Sequence, residues 1–252
     1  MSILDKVVKT KPKSARILLY GRPGIGKSSF AASFPSPLFL LTEETGLTGI
    51  QALPLATTFK EFWDNVKELL EVSDLPFKTL VIDSVSQLDA LITDHILEKE
   101  VTKNSKPATL SSACGGFGAG FQKAAQLHRA LKSMLDRFQD KGVTVIYISH
   151  MAVKTHRAPD VSEYDVYTIV ANHDKTREVY IDTCDAVLFC RIKSYTDELE
   201  NGRTLIKSTD QRIMMCGVND VNVSKNRFGM PNEIPMSYEE ISKYLGMKDE
   251  KE

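Results

Sequence analysis

The sequence predicts an α/β fold with a mainly parallel central sheet, helices on both faces and an antiparallel extension. Three observations carry that expectation. A glycine-rich turn, Gly21-Arg22-Pro23-Gly24-Ile25-Gly26-Lys27-Ser28, follows a short apolar run and precedes a segment with helical patterning. Continuous apolar runs, the pattern of strands buried on both faces, then alternate with helical segments. Beyond residue 185 the pattern becomes one of alternating strands around Asn201-Gly202, a hairpin turn signal.

Taken in order, residues 1–14 carry Lys6, Lys9, Lys11 and Lys13 around Pro12 and suit either a basic, solvated arm or one that docks on a neighbouring subunit or on nucleic acid. Residues 15–20 (A-R-I-L-L-Y) form the first strand and residues 28–34 the first helix. Residues 37–42 (P-L-F-L-L-T) are a second buried strand, ending at Glu43 and Glu44, and residues 53–56 suggest a short third. Thr58-Phe59-Lys60-Glu61 is a capping box. It opens a helix to residue 72 with Phe62, Val66, Leu69 and Leu70 on one face. Residues 79–83 (T-L-V-I-D) are a buried strand ending in an acid, and a helix follows over 85–100.

Residues 101–120 carry Lys103, Lys106 and a glycine-rich run around Phe117, and read as a long irregular segment. A helix over 121–139 leads to a strand over 143–149 that stops at His150. Residues 151–174, with Lys154, His156 and Arg157, and with Tyr164 and Tyr167 as rings available for stacking, are expected to be a second irregular region. A helix over 175–185, antiparallel strands over 186–193, 203–208 and 213–216, a basic segment over 224–231 and a closing helix over 238–245 complete the expected core. The domain plan is thus an arm, 1–14, a core, 15–245, and a charged tail, 246–252.

The chain of 252 residues, 42% hydrophobic and 26% charged, has enough apolar material for one large domain. A net charge of -1 excludes recognition of nucleic acid by overall charge and leaves it to local patches. Cys114, Cys184, Cys190 and Cys216 show no zinc spacing and suit reduced thiols in a cytoplasmic protein. The lysine-rich start has no apolar run of a signal peptide behind it, and no stretch is long and apolar enough to span a membrane.

The glycine-rich turn fits G-x-x-x-x-G-K-[ST], the phosphate-binding loop (P-loop). Glycines let successive backbone N–H groups curl toward phosphate oxygens. The expected nucleotide contacts are Gly21, Arg22, Pro23, Gly24, Ile25, Gly26, Lys27, Ser28 and Ser29, with ATP and Mg2+ as cofactors. Lys27 is expected to reach the distal phosphates, and the Ser28 hydroxyl to bind the magnesium ion. Asp83, at the end of an apolar strand, suits either the Walker B carboxylate on the metal or a cap on the next helix. Glu43 or Glu44 suits the polarisation of an attacking water. His150 suits a sensor of the terminal phosphate or a merely hydrogen-bonded histidine. Lys225 and Arg227, two residues apart, point the same way in an extended segment.

This order of motifs resembles the RecA-type recombinases and helicases. F-L-L-T-E, ending at Glu43, looks like the strand that delivers their catalytic glutamate, and V-I-D-S at 81–84 like their Walker B strand. Ser149-His150 occupies the place of their sensor amide, with histidine as a departure, and Thr42-Glu43-Glu44-Thr45 offers two acids instead of one. K-N-R-F-G at 225–229, followed by Asn232-Glu233-Ile234, closely resembles the motif of bacterial RadA. The compact length resembles most closely the RecA-like phage annealing proteins of the Sak group. The resemblance implies an ATPase that binds single-stranded DNA and promotes annealing or homologous recombination in a phage-infected bacterial cytoplasm. It implies a homo-oligomer, ring or filament, in which Lys225 and Arg227 reach the neighbour's nucleotide, and a single-strand DNA-binding protein as a further partner. Lys103, Lys106, Phe117, Lys154 and Arg157 fall in the two regions where that family carries its DNA-binding loops. The alternatives are a helicase-like or helicase-loader motor and, less favoured, a small-molecule phosphotransferase.

Overall fold

Strand β1 (Arg16–Gly21) is the centre of the sheet, and its residues divide between two cores. Leu18 and Tyr20 point to one face and Ile17 and Leu19 to the other, all fully buried, as the two-residue period of a strand requires. The computed structural model describes residue 7 and residues 13–100, 109–198 and 204–246. The other elements in chain order are α1 (Lys27–Ala32), β2 (Pro37–Leu41), β3 (Gln51–Ala52), α2 (Phe59–Glu71), β4 (Thr79–Asp83) and α3 (Val85–Lys99). Next come α4 (Ala119–Asp140), β5 (Thr144–His156), β6 (Tyr164–Ile169), α5 (Asp174–Ile181), β7 (Ala186–Glu198), β8 (Thr204–Met215), β9 (Lys225–Asn226), β10 (Glu233–Pro235) and α6 (Tyr238–Leu245).

The sheet runs β10-β8-β7-β1-β5-β4-β2-β3. Neighbours from β7 to β3 pair in parallel, and β8 and β10 add the expected antiparallel extension. Helices α2, α3, α4 and α5 cover the Leu18 face, and α1 and α6 cover the Ile17 face. The mainly parallel sheet with helices on both faces is the expected α/β architecture. Local signals hold at both ends of the chain. Thr58 and Glu61 form the full capping box of α2, and α6 spans the expected residues behind its N-cap, Ser237.

Four expectations are corrected. The third strand is Gln51–Ala52, not 53–56. Pro54 has no N–H to give a ladder, so the chain beyond Ala52 follows β2 irregularly through Leu53 and Ala56. Residues 151–174 are not irregular: β5 runs on to His156 and pairs antiparallel with β6. From Val153 to His156 β5 leaves the covered sheet and is exposed on both faces, so it lacks the apolar alternation that marks a strand. Residues 213–216 are no separate strand but the end of β8, whose polar middle hides its continuity. Helix α5 begins at Asp174, behind the cap His173, and ends at Ile181 rather than 185. The turn at Asn201-Gly202, Lys103, Lys106, most of the 1–14 arm and the tail beyond Gly246 lie outside the described residues.

Cys184, Cys190 and Cys216 are buried, and burial pushes each thiol up to about 12. Cys114 is only half-buried.

Asp185 ties the amino ends of β1 and β7 together. It accepts two hydrogen bonds from the Arg16 guanidinium at 2.9 and 3.1 Å, and one from the Arg16 backbone N–H at 3.1 Å. Arg16 also reaches Asp136 of α4 at 3.2 Å. Burial works to raise the Asp185 carboxyl, but the hydrogen bonds and charge of Arg16 outweigh it and hold the group below its ordinary value.

Asp185→Asn should therefore cost about 2 kcal/mol of stability at pH 7, less than the loss from a fully buried pair. A depressed carboxyl pKa contributes stability above its unfolded value of about 3.9 and loses it as pH falls through the folded one. Denaturant melts of both proteins should thus converge as the pH drops below about 4. A gap that stays constant to low pH would show that the carboxylate charge is not what Arg16 needs.

Candidate nucleotide site

The P-loop leaves β1 at Gly21, which stands level with His150 on β5 and Cys190 on β7. A Cβ at Gly21 would meet the Cys190 carbonyl oxygen at 2.4 Å, so only glycine lets the three strands end this close together. Gly26 has φ +99°, in the left-handed region that favours glycine. The loop then enters α1 with Lys27, whose side chain is buried. The Lys27 ammonium donates to the carbonyls of Gly21 at 3.0 Å and Arg22 at 3.1 Å. Burial lowers its pKa, and the nearby acids, Asp83 and Glu43 among them, work the other way. Ser29 follows on the exposed side of α1.

Strand β5 lies between β1 and β4, so the end of β4 comes up beside the loop. The Ser28 hydroxyl donates to Asp83 Oδ2 at 2.6 Å. Asp83 does not cap α3; Ser84 does, accepting from the Gln87 N–H. Burial raises the Asp83 carboxyl, the Ser28 hydrogen bond opposes this, and the Glu43 charge adds to the rise. An alcohol and a carboxylate oxygen are the hard donors that magnesium takes, so Ser28 and Asp83 fit that ion. Bound there with nucleotide, magnesium would supply charge neutralisation at the phosphates.

Glu43, just past β2, and His150 of β5 meet across the end of β4, the strand between them that carries Asp83. His150 Nε2 lies 3.2 and 3.3 Å from the two Glu43 oxygens. A carboxylate only accepts, so Nε2 donates, while the buried Nδ1 has no hydrogen-bond partner among the described residues. The His150 hydrogen bond, with a further one from Ser84, holds the Glu43 carboxyl below its ordinary value against the effect of burial. Glu44 faces solvent. The backbone of His150 is fixed by its N–H donating to Ser86 Oγ at 2.9 Å, and Ser86 Oγ in turn bonds Ser149 Oγ at 3.0 Å.

The structure thus brings Lys27, Ser28, Asp83, Glu43 and His150 to one place. It puts Lys225 and Arg227 elsewhere. Strand β9 pairs with the amino end of β7. Lys225 Nζ donates to the carbonyls of Ile181 and Asp182 at 3.3 and 2.6 Å, and Arg227 bonds Asp185 at 3.2 Å. Asp185 lies level with Arg16, five residues and about 16 Å of strand from the P-loop. Of the DNA candidates, Phe117 stands fully exposed in the turn before α4. Lys154 and Arg157 lie on or just past β5, each paired with a carboxylate, Asp174 at 2.6 Å and Glu163 at 2.9 Å. Tyr164 packs on His156. Tyr167 is not available as a surface stacking ring, because it lies flat on Phe189 at 5.0 Å.

One residue that the sequence did not point to is Arg212 of β8, whose guanidinium lies over Gly26. Its only sequence signal is a cation amid polar residues, which most surface strands share.

The family described as AAA domain matches residues 13–228, more than half of the chain. Comparison with curated proteins finds no match.

Lys27→Ala should weaken ATP binding about tenfold to a hundredfold, as expected for loss of a charged hydrogen-bonding partner. Glu43→Gln should bind ATP and hydrolyse it about 10²–10⁴ times more slowly, and Glu44→Gln should turn over normally. Equilibrium binding and steady-state phosphate release measure both. A crippled Glu44→Gln beside a normal Glu43→Gln would transfer the role to the exposed acid.

Proposed function

Because the chain belongs to the AAA domain family, a family of P-loop ATPases, we propose that its ATPase cycle acts on single-stranded DNA and promotes annealing or homologous recombination. The observation that supports this most is where the ribbon that carries Lys154 starts. β5 passes without interruption from His150, against Glu43, to Lys154 and His156. A change at the terminal phosphate that moved His150 would act on a strand four residues from Lys154, with no flexible joint between them.

The second candidate segment lies next to the first. Helix α4 starts at the same end of the sheet, where Phe121 stacks on His173 at 5.1 Å beside the base of the ribbon. Phe117, at the turn before it, offers an exposed ring for base stacking, worth about 1–3 kcal/mol per base and tolerant of any sequence. Phosphates must displace Asp174 and Glu163 from Lys154 and Arg157, which favours weak, salt-sensitive binding.

The same proposal includes assembly. Lys225 and Arg227 occupy the amino end of the sheet and the P-loop the carboxyl end. A head-to-tail stack would place one subunit's Arg227 at the next subunit's nucleotide, and such a contact builds a ring or a filament. Arg227 is 55% exposed, so its bond to Asp185 leaves most of the guanidinium available.

Single-stranded DNA should accelerate phosphate release, and binding should weaken steeply as salt rises. Replacing Lys154 and Arg157 together by Ala should reduce the logarithmic salt slope by about 1.4, two phosphate contacts at roughly 0.7 each. An unchanged slope would move the DNA site off the ribbon, and unwinding of a forked duplex would favour a translocating motor.

Arg227→Ala should bind ATP and lose hydrolysis by up to about 10³-fold, the low end for an arginine supplied by a neighbour. Mixed with Lys27→Ala, it should recover turnover above the sum of the two, because some interfaces then join an intact loop to an intact Arg227. Absence of any gain in mixtures shown to co-assemble would remove the role in trans.

A further inference from the structure

The hairpin of β7 and β8 continues past Gly21 and Cys190, where the parallel pairing stops, and passes beside the P-loop. Its ladder is interrupted there. Ile192 pairs with Arg212 and Ser194 with Ser208, so Lys193 lies opposite Thr209, Asp210 and Gln211. An irregularity of this kind bends the strand and re-aims the side chains beside it. Arg212 is the residue at which regular pairing resumes. Met214, two positions on and therefore on the same face, is buried in the core against α1. Arg212 accordingly extends over the start of α1, and its Nη1 lies 2.8 Å from where a Cβ on Gly26 would stand. No carboxylate among the described residues pairs with it.

Beside this guanidinium is a cavity of about 530 Å³, between the P-loop residues Arg22 to Ile25 and the hairpin. Its apolar lining includes the stacked rings of Tyr167 and Phe189, with Ile192 and Met151. That is the size and character of a small-molecule pocket. It lies over the loop, between the β7–β8 hairpin and the base of the β5–β6 ribbon, whereas Asp83 and Glu43 lie farther along the sheet, at the ends of β4 and β2. For a nucleotide whose distal phosphates meet Lys27 and Asp83, this cavity is the apolar space that borders the loop residues Arg22 to Ile25.

Resting on the ATP assignment above, we infer that this cavity takes the nucleoside half of the nucleotide and that Arg212, from the same chain, binds the phosphate next to it. Arg212 then contacts ATP and ADP alike. It contributes to holding nucleotide rather than to the bond-breaking step, because an interaction made equally in ground and transition states does not raise kcat. The site would discriminate a nucleoside polyphosphate from a bare one by the apolar wall.

Calorimetric titration of the full-length protein with ATP, ADP and pyrophosphate tests this. Wild-type protein should bind ADP at least about tenfold more tightly than pyrophosphate. Ile192→Glu, at an exposed position on the cavity wall, should erase most of that difference and leave pyrophosphate affinity in place. Arg212→Ala should weaken ATP and ADP by a common factor of about ten and raise KM far more than it lowers kcat, with Arg212→Lys recovering part of the loss. Equal affinity for ADP and pyrophosphate in wild type, or unchanged ATP and ADP affinity in Arg212→Ala, would overturn the inference. So would a fall in kcat at constant KM, which would put Arg212 on the terminal phosphate. If wild-type protein bound none of the three, the ATP assignment itself would fall. If Lys27→Ala lost ATP while Arg212→Ala kept it, only the inference about Arg212 would.

Discussion

Strand β5 lies between β1 and β4 and is hydrogen-bonded to both, and this pairing sets the level at which each strand ends. Gly21 stands beside His150, and Asp83 beside Ile148. A slip of one residue in either pair would turn the terminal side chains to the opposite face and part Ser28 from Asp83. The alignment is also held from below. Asp185 gathers Arg16, Gln139 and Arg227, so the amino ends of β1 and β7 and the end of α4 are tied to a single carboxylate. The site at one end of the sheet thus depends on an ion-pair cluster at the other.

Within the site, burial pushes the charged groups toward neutrality, and their partners decide how far. Asp83 rises and Lys27 falls, chiefly from loss of water. Glu43 moves the other way because His150 and Ser84 donate to it. The result is one carboxylate kept ionised beside His150, and a second one, on Ser28, whose charge a bound divalent cation would reinforce. Two acids with environments this different suit two different tasks.

Much of this was legible in the sequence because it is written in short-range rules. The P-loop is a contiguous motif, and the Thr58 capping box and the run ending at Asp83 each lie within five residues or fewer. The roles of Glu43 and Glu44 were not separable, since two adjacent acids differ only in which way the chain turns after β2. The ribbon of β5 and β6 was missed because its outer part, Val153 to His156, is exposed on both faces and carries no apolar alternation. Arg212 was hidden for a different reason. What places it over Gly26 is the interrupted ladder between β7 and β8, a pairing between distant residues that no window along the chain contains. The distance between Arg227 and the P-loop was equally invisible, because it follows from β9 joining the amino end of β7.

The four cysteines differ sharply in access. Burial holds the thiols of Cys184, Cys190 and Cys216 up at about 12 and packs them among core side chains, so they present almost no thiolate to a reagent near neutral pH. Cys114, half-buried in the turn that also carries Phe117, is the accessible one. A thiol-directed fluorophore used at mildly alkaline pH would attach there first, three residues from an aromatic ring exposed to solvent. The unmodified chain therefore carries its own attachment point for an optical reporter, within the segment proposed to meet DNA.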